Sequence, residues 1–114
     1  MKDKRTLKRR QLVYYFPVYI RNTDILAGHL ADLTHEGLML VHSTALEIGE
    51  LFPLRIMLPE KSGRAQTLDL LAECRWVKPD TQPDQLAMGF RFIDLSDLQR
   101  LEITRLILEY RLGD

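Results

Sequence analysis

Between residues 12 and 93 the apolar and polar positions repeat mostly with a period of two, and from residue 97 the period lengthens to that of a helix. Residues 12–20, LVYYFPVYI, are β-branched and aromatic, and a strand here puts Leu12, Tyr14, Phe16, Val18 and Ile20 on one face. Pro17 donates no ladder hydrogen bond, which places it at an edge or a bulge. After a turn at Asn22-Thr23-Asp24, strands are predicted over 26–33 and 37–42, joined by the tight polar turn Asp32-Leu33-Thr34-His35-Glu36-Gly37. A fourth strand, 51–58, faces inward with Phe52, Leu54, Ile56 and Leu58 and is broken by Pro59 to Gly63. The fifth, 67–77, alternates Leu68, Leu70, Ala72, Cys74 and Trp76 inward with Asp69, Glu73 and Arg75 outward. Pro79 to Pro83 form a loop, and the sixth strand, 86–93, points Leu86, Met88, Phe90 and Phe92 inward.

The last segment opens with Ser96-Asp97-Leu98-Gln99, a capping box that starts a helix over about 97–111, ending before Gly113. Its apolar residues form two stripes: Ile103, Leu106, Ile107 and Tyr110, and then Leu98, Leu101, Leu108 and Leu112. One stripe can cover the sheet. The other requires a further partner, unless one wide face packs into a groove. Six antiparallel strands at hairpin spacing followed by one helix give a mainly β protein, a small closed barrel whose helix covers one end.

Composition narrows the class. With 114 residues, 46% of them hydrophobic, the chain makes one domain with a core of its own. No apolar run reaches membrane-spanning length, and the opening residues are too polar for a secretory signal. A single cysteine, Cys74, forms no internal disulfide, which fits a reducing, cytoplasmic setting. The formal net charge is zero, but unevenly distributed. Residues 1–10 hold six basic side chains against Asp3, and the remaining 104 residues hold 10 basic against 15 acidic. Residues 1–11 thus read as a flexible basic arm on a mildly acidic domain, 12–114.

Catalytic chemistry is sparse. Cys74 falls on an inward face and reads as an inert core thiol. His29, His35 and His42 are scattered without carboxylates at ligand spacing, and the six glycines form no phosphate-cradling loop. The expectation is a binding module without catalytic residues, metal or cofactor.

Two motifs carry the functional reading. Arg5-Thr6-Leu7-Lys8-Arg9 spells R-x-x-x-R ahead of the first strand, and Asp32-x-Thr34-x-x-Gly37 lies between the next two strands. Together, in this order and beside strands of one barrel, they resemble the PilZ domain, a bacterial receptor domain for cyclic di-GMP. The strand Gly89-Phe90-Arg91-Phe92 and the closing helix look like that family as well, and the stretch GHLADLTHEGLML looks like its stand-alone members. The resemblance implies a six-stranded antiparallel PilZ-type β-barrel with a C-terminal α-helix. It also implies a cyclic di-GMP site made by Arg5, Arg9, Arg10, Asp32, Thr34 and Gly37. Arg9 and Arg10 both stand next to the strand, and if Arg10 takes the second arginine's place, its partner four residues earlier is Thr6. Thr34 replaces the family's usual serine and keeps its hydroxyl.

These residue types suit the ligand. Arginine forks onto phosphate oxygens or onto guanine O6 and N7, and its plane stacks on a base. An aspartate accepts from guanine N1–H and N2–H, a hydroxyl donates to phosphate, and glycine permits close backbone approach or positive φ. The implied function is a cytoplasmic second-messenger receptor whose arm folds over the nucleotide. The alternative is a degenerate PilZ domain that binds no nucleotide and acts on a protein effector, or by self-association, through the C-terminal helix. General nucleic-acid binding is disfavoured by the acidic domain, and no membrane insertion is expected.

Overall fold

The computed structural model describes residues 16–61 and 63–112. Six strands are present: β1 Pro17–Ile20, β2 Leu26–Leu33, β3 Gly37–His42, β4 Leu51–Lys61, β5 Arg64–Pro79 and β6 Leu86–Phe92, followed by helix α1, Asp97–Tyr110. They close into an antiparallel barrel in the order β1-β2-β3-β6-β5-β4. The expected fold is therefore the observed one, with β2 and β3 at the predicted bounds. Leu12 and Tyr14 lie outside the described residues. Phe16 and Val18 are buried, and Ile20 packs against the core as expected. Pro17 opens β1 and pairs only with β2, beside a register shift at Val18/Tyr19, so its missing N–H interrupts no second ladder.

β4 and β5 are longer than their sequence pattern suggests. Pro59 does not end β4, because the ladder shifts register between Leu58 and Lys61 and resumes at Lys61 opposite Arg64. A proline is tolerated at such a shift because no ladder donor is demanded of it. The β4–β5 connection is correspondingly tight, with Gly63 at φ +73°.

Inside the barrel, Leu33, Leu40, Leu54, Ile56, Leu70 and Met88 are essentially inaccessible. Each contributes about 1.5–3 kcal/mol by burial. Among the described residues no polar or charged side chain is buried. Helix α1 adds Ile103 and Leu106 to this core at the end where β1 begins and β6 finishes. Its capping box is complete: Ser96 Oγ accepts from the Gln99 amide at 3.0 Å, and Gln99 Oε1 accepts from the Ser96 amide at 2.8 Å. The helix ends on Arg111, which takes the left-handed conformation (φ 56°, ψ 43°). Tyr110 meets the Phe16 ring edge-on, with centroids 5.0 Å apart.

The two helix stripes separate, with one correction. Leu112, beyond the helix, folds back into the core, its backbone N–H donating a hydrogen bond to the Ile107 carbonyl. Leu98, Leu101 and Leu108 remain 67%, 65% and 75% exposed, so a single wide buried face is excluded.

Outside the barrel, Arg55 and Asp69 are cross-strand partners on β4 and β5 and form a two-point ion pair at 2.7 and 2.9 Å. Arg21 lies 3.6 Å from the same carboxylate. Hydrogen bonding from Arg55 holds the Asp69 carboxyl below its ordinary range; both arginine charges add to this, and partial burial opposes it. A depressed native pKa stabilises the fold above about pH 4 and loses that contribution as pH falls through the lowered value. Asp69→Asn is thus expected to be less stable than the parent at pH 7 by about 1 kcal/mol or less, given the pair's exposure. The gap between the two denaturant midpoints closes on acidification below pH 4. For the helix, Ile103→Ala is expected to cost about 2–5 kcal/mol, while Leu101→Ala stays within about 0.5 kcal/mol in the same unfolding assay.

Candidate functional site

The Asp32-x-Thr34-x-x-Gly37 segment runs from the end of β2 into the start of β3. Thr34 organises the turn. Its amide donates to the Gly37 carbonyl at 2.9 Å, and its Oγ1 accepts from the amides of Glu36 and Gly37 at 3.2 and 3.3 Å. The Thr34 hydroxyl lies 3.4 Å from the Gly37 carbonyl, long for an O–H donor, so its proton is only weakly committed. Asp32 stands just before the turn, half-buried, with Oδ1 accepting from the Leu33 amide at 2.9 Å.

Gly37 serves close approach rather than positive φ. A Cβ there would sit 1.9 Å from the Phe90 carbonyl oxygen. The turn is thereby pressed against β6, and the Phe92 amide donates to the Glu36 carbonyl at 2.9 Å. His35, at the tip, places Nε2 2.7 Å from Thr104 Oγ1 of α1.

Beside this turn lies an open groove of about 1000 Å³, lined by the turn, by the β5 and β6 residues Arg75, Trp76, Gly89 and Arg91, and by Asp94, Leu95 and Arg100. Trp76 corrects the expected alternation. The β5–β6 register shifts between Cys74 and Trp76, which pair with Phe90 and Gly89 respectively. The extra residue, Arg75, reverses parity, so Trp76 turns outward, 38% exposed, while Val77 packs against the core. Gly89 makes room for the indole, since a Cβ there would lie 2.1 Å from the ring. The Lys78 ammonium stands 4.8 Å from the indole centroid.

Of the expected site residues, the structure brings Asp32, Thr34 and Gly37 together at one rim. Arg5, Arg9 and Arg10 lie outside the described residues. The groove adds Trp76 and three exposed arginines, Arg75, Arg91 and Arg100, none with an ion-pair partner among the described residues. Sequence pattern assigned Trp76 to the core and gave the arginines no role. Their common address depends on the pairing of β3, β6 and β5, which local periodicity does not show.

Other chemistry stays in the background. Cys74 is fully buried, and burial pushes its thiol above the ordinary value, consistent with an inert side chain. No group of three His, Cys, Asp or Glu among the described residues is placed to hold a metal ion. No helix among them is long and apolar enough to cross a membrane.

The chain matches the PilZ domain family model over residues 3–109. No curated protein sequence matches it. Among solved structures it is similar to the Bacillus subtilis inhibitor of motility, MotI/DgrA, with a TM-score of 0.68 and 16% identity. That match covers 85% of this chain but only 46% of the Bacillus chain. It is also similar to the PilZ domain with c-di-GMP of YcgR from Escherichia coli, with a TM-score of 0.65 and 17% identity, over 85% of this chain and 81% of that one. At such identities the structural likeness speaks for the fold alone, which is the barrel and helix described above. The family model spans the arm, all six strands and nearly the whole helix, and by that match the chain belongs to the PilZ domain family.

Proposed function

We propose that this chain is a cyclic di-GMP-binding receptor module of bacterial second-messenger signalling, working in the cytoplasm without catalysis. The observation that carries the reading is the groove, where the Asp32-Thr34-Gly37 turn shares the walls with three exposed arginines that have no ion-pair partner among the described residues and with an exposed indole. A PilZ-domain structure of the same fold, from Escherichia coli YcgR, is described with this nucleotide.

Each feature has a ligand group to match. Asp32 accepts from the guanine Watson–Crick edge, where N1–H and N2–H offer two donors. Thr34 turns its weakly committed hydroxyl proton to a phosphate oxygen. Trp76 offers indole surface for stacking, worth about 1–3 kcal/mol per base. Arg75, Arg91 and Arg100 provide forked donors to phosphate or to guanine O6 and N7.

The arm joins the barrel close to this rim. The Leu30 amide donates to the Phe16 carbonyl at 2.9 Å, two residues before Asp32. Arg9 and Arg10 lie seven and six residues before Phe16, a reach of at most about 20–25 Å, enough to meet a ligand in the groove. Ordering the arm over the nucleotide is then the signalling event, a disorder-to-order switch.

The exposed Leu98, Leu101 and Leu108 favour a second reading, a nucleotide-free adaptor working through α1. Calorimetric titration of the full chain with cyclic di-GMP, with GTP as control, separates the two. The receptor reading expects micromolar or tighter binding, abolished by Asp32→Ala and by alanine at Arg9 or Arg10, and weakened about tenfold or more by Trp76→Ala. Absence of heat and of any thermal shift at saturating nucleotide would sink it and leave the adaptor reading.

A further inference from the structure

We propose that His35 is a positioning residue that ties the nucleotide-binding turn to helix α1 and thereby sets where Arg100 stands across the groove; this rests on the receptor reading above. The contact joins residues 69 apart in sequence. His35 sits in the turn between Thr34 and Glu36, and its Nε2 lies 2.7 Å from Thr104 Oγ1. Thr104 Oγ1 in turn donates to the Arg100 carbonyl at 3.0 Å. A hydroxyl has one proton. With that proton on the Arg100 carbonyl, the short contact to His35 is made by an imidazole N–H donating to the hydroxyl oxygen. The chain therefore runs His35 Nε2–H to Thr104 Oγ1–H to Arg100 C=O.

Its end point matters because Arg100 is the one cationic helix residue lining the groove. Apart from this contact the helix is held by Ile103 and Leu106 in the barrel core and at its two ends, where Gln99 Nε2 donates to the Asp69 carbonyl at 2.8 Å and Tyr110 rests on Phe16. Neither end anchor touches the turn. The turn itself is fixed to β6 through Gly37 and Glu36. His35 thus adds a direct side-chain link between the segment bearing Asp32 and Thr34 and the helix bearing Arg100. Movement of the turn on ligand contact is passed to the same helix that exposes Leu98, Leu101 and Leu108.

The test compares the full-length parent with His35→Ala, Thr104→Val, the double variant and His35→Gln. Two readouts are taken: amide hydrogen exchange of α1 in the free protein, and cyclic di-GMP affinity. The expected result is faster exchange along α1 in both single variants, with the exchange of β4 and β5 unchanged. Affinity is expected to fall about three- to tenfold in each single variant and by no more in the double variant, because one linkage is lost in all three. His35→Gln, which keeps a donor of similar reach, restores most of the affinity. If the parent binds and the two single variants bind equally well, or if their effects multiply in the double variant, the positioning role is overturned while the receptor reading stands. If the parent binds no cyclic di-GMP, the receptor reading fails and the positioning role falls with it, whatever the exchange shows.

Discussion

A closed six-stranded barrel has room inside for one face of each strand, so parity decides the fate of every side chain. One extra residue in a strand reverses that parity from there onward. This chain uses the reversal where it builds the groove. In β2 the register shifts between Leu30 and Asp32, and Leu30 and Leu33 are both buried though three residues apart. Without the shift Asp32 would follow Leu30 into the core, where an unpaired carboxylate costs several kcal/mol. In β5 the shift at Arg75 carries Trp76 out of the core. Two insertions of one residue each thus bring a carboxylate and an indole to the wall of one outer groove.

Close backbone approach then fixes the distance between these walls. Gly37 lets the turn press on Phe90, and Gly89, one residue before Phe90, receives Trp76. Both glycines serve the β6 strand from opposite neighbours, β3 and β5. Neither takes a positive φ. What they supply is the absence of a side chain, and a methyl group at either would separate the features that the groove brings together.

Much of this fold was legible from alternation alone. The bounds of β2 and β3, the inward set of β4, the inward Met88, Phe90 and Phe92 of β6, the capping box and the buried helix stripe all follow from local spacing, whereas Leu86, expected inward at the start of β6, stays outside the core. What escaped the pattern was non-local. Trp76 continues the alternation of Leu68 to Cys74 without interruption, and nothing in β5 itself marks Arg75 as the extra residue; the shift arises from pairing with β6. Pro59 reads as a terminator because its missing donor is a local fact, while the register shift that absorbs it is a property of the β4–β5 pair. Leu112 matches the outer stripe by angle, but Arg111 takes the left-handed conformation and turns the chain inward before it. At the groove, the D-x-T-x-x-G motif marked Asp32, Thr34 and Gly37, while the R-x-x-x-R motif falls outside the described residues. Arg75, Arg91 and Arg100 come from three different elements, and His35 looked like an isolated histidine until the helix was placed beside it.

The charge balance of the groove gives the arm a definite part in the receptor reading. Arg75, Arg91 and Arg100 are offset by Asp32, Glu36 and Asp94 on the same walls, so the groove is formally neutral. A neutral wall can read shape and base edges, but it offers no net attraction to a ligand with two phosphodiester charges. The surplus positive charge of the chain lies in residues 1–10, which hold six basic side chains against one acidic. On the receptor reading, recognition would divide between two parts of the molecule. The closed barrel would supply the carboxylate for guanine, the hydroxyl and the stacking surface at little cost in ordering. The arm would supply the phosphate-neutralising charge and bear the conformational entropy of binding. Since on that reading net attraction arises only when the arm reaches the groove, occupation of the groove and ordering of the arm would be a single event, and the surface altered by that event would be the signal.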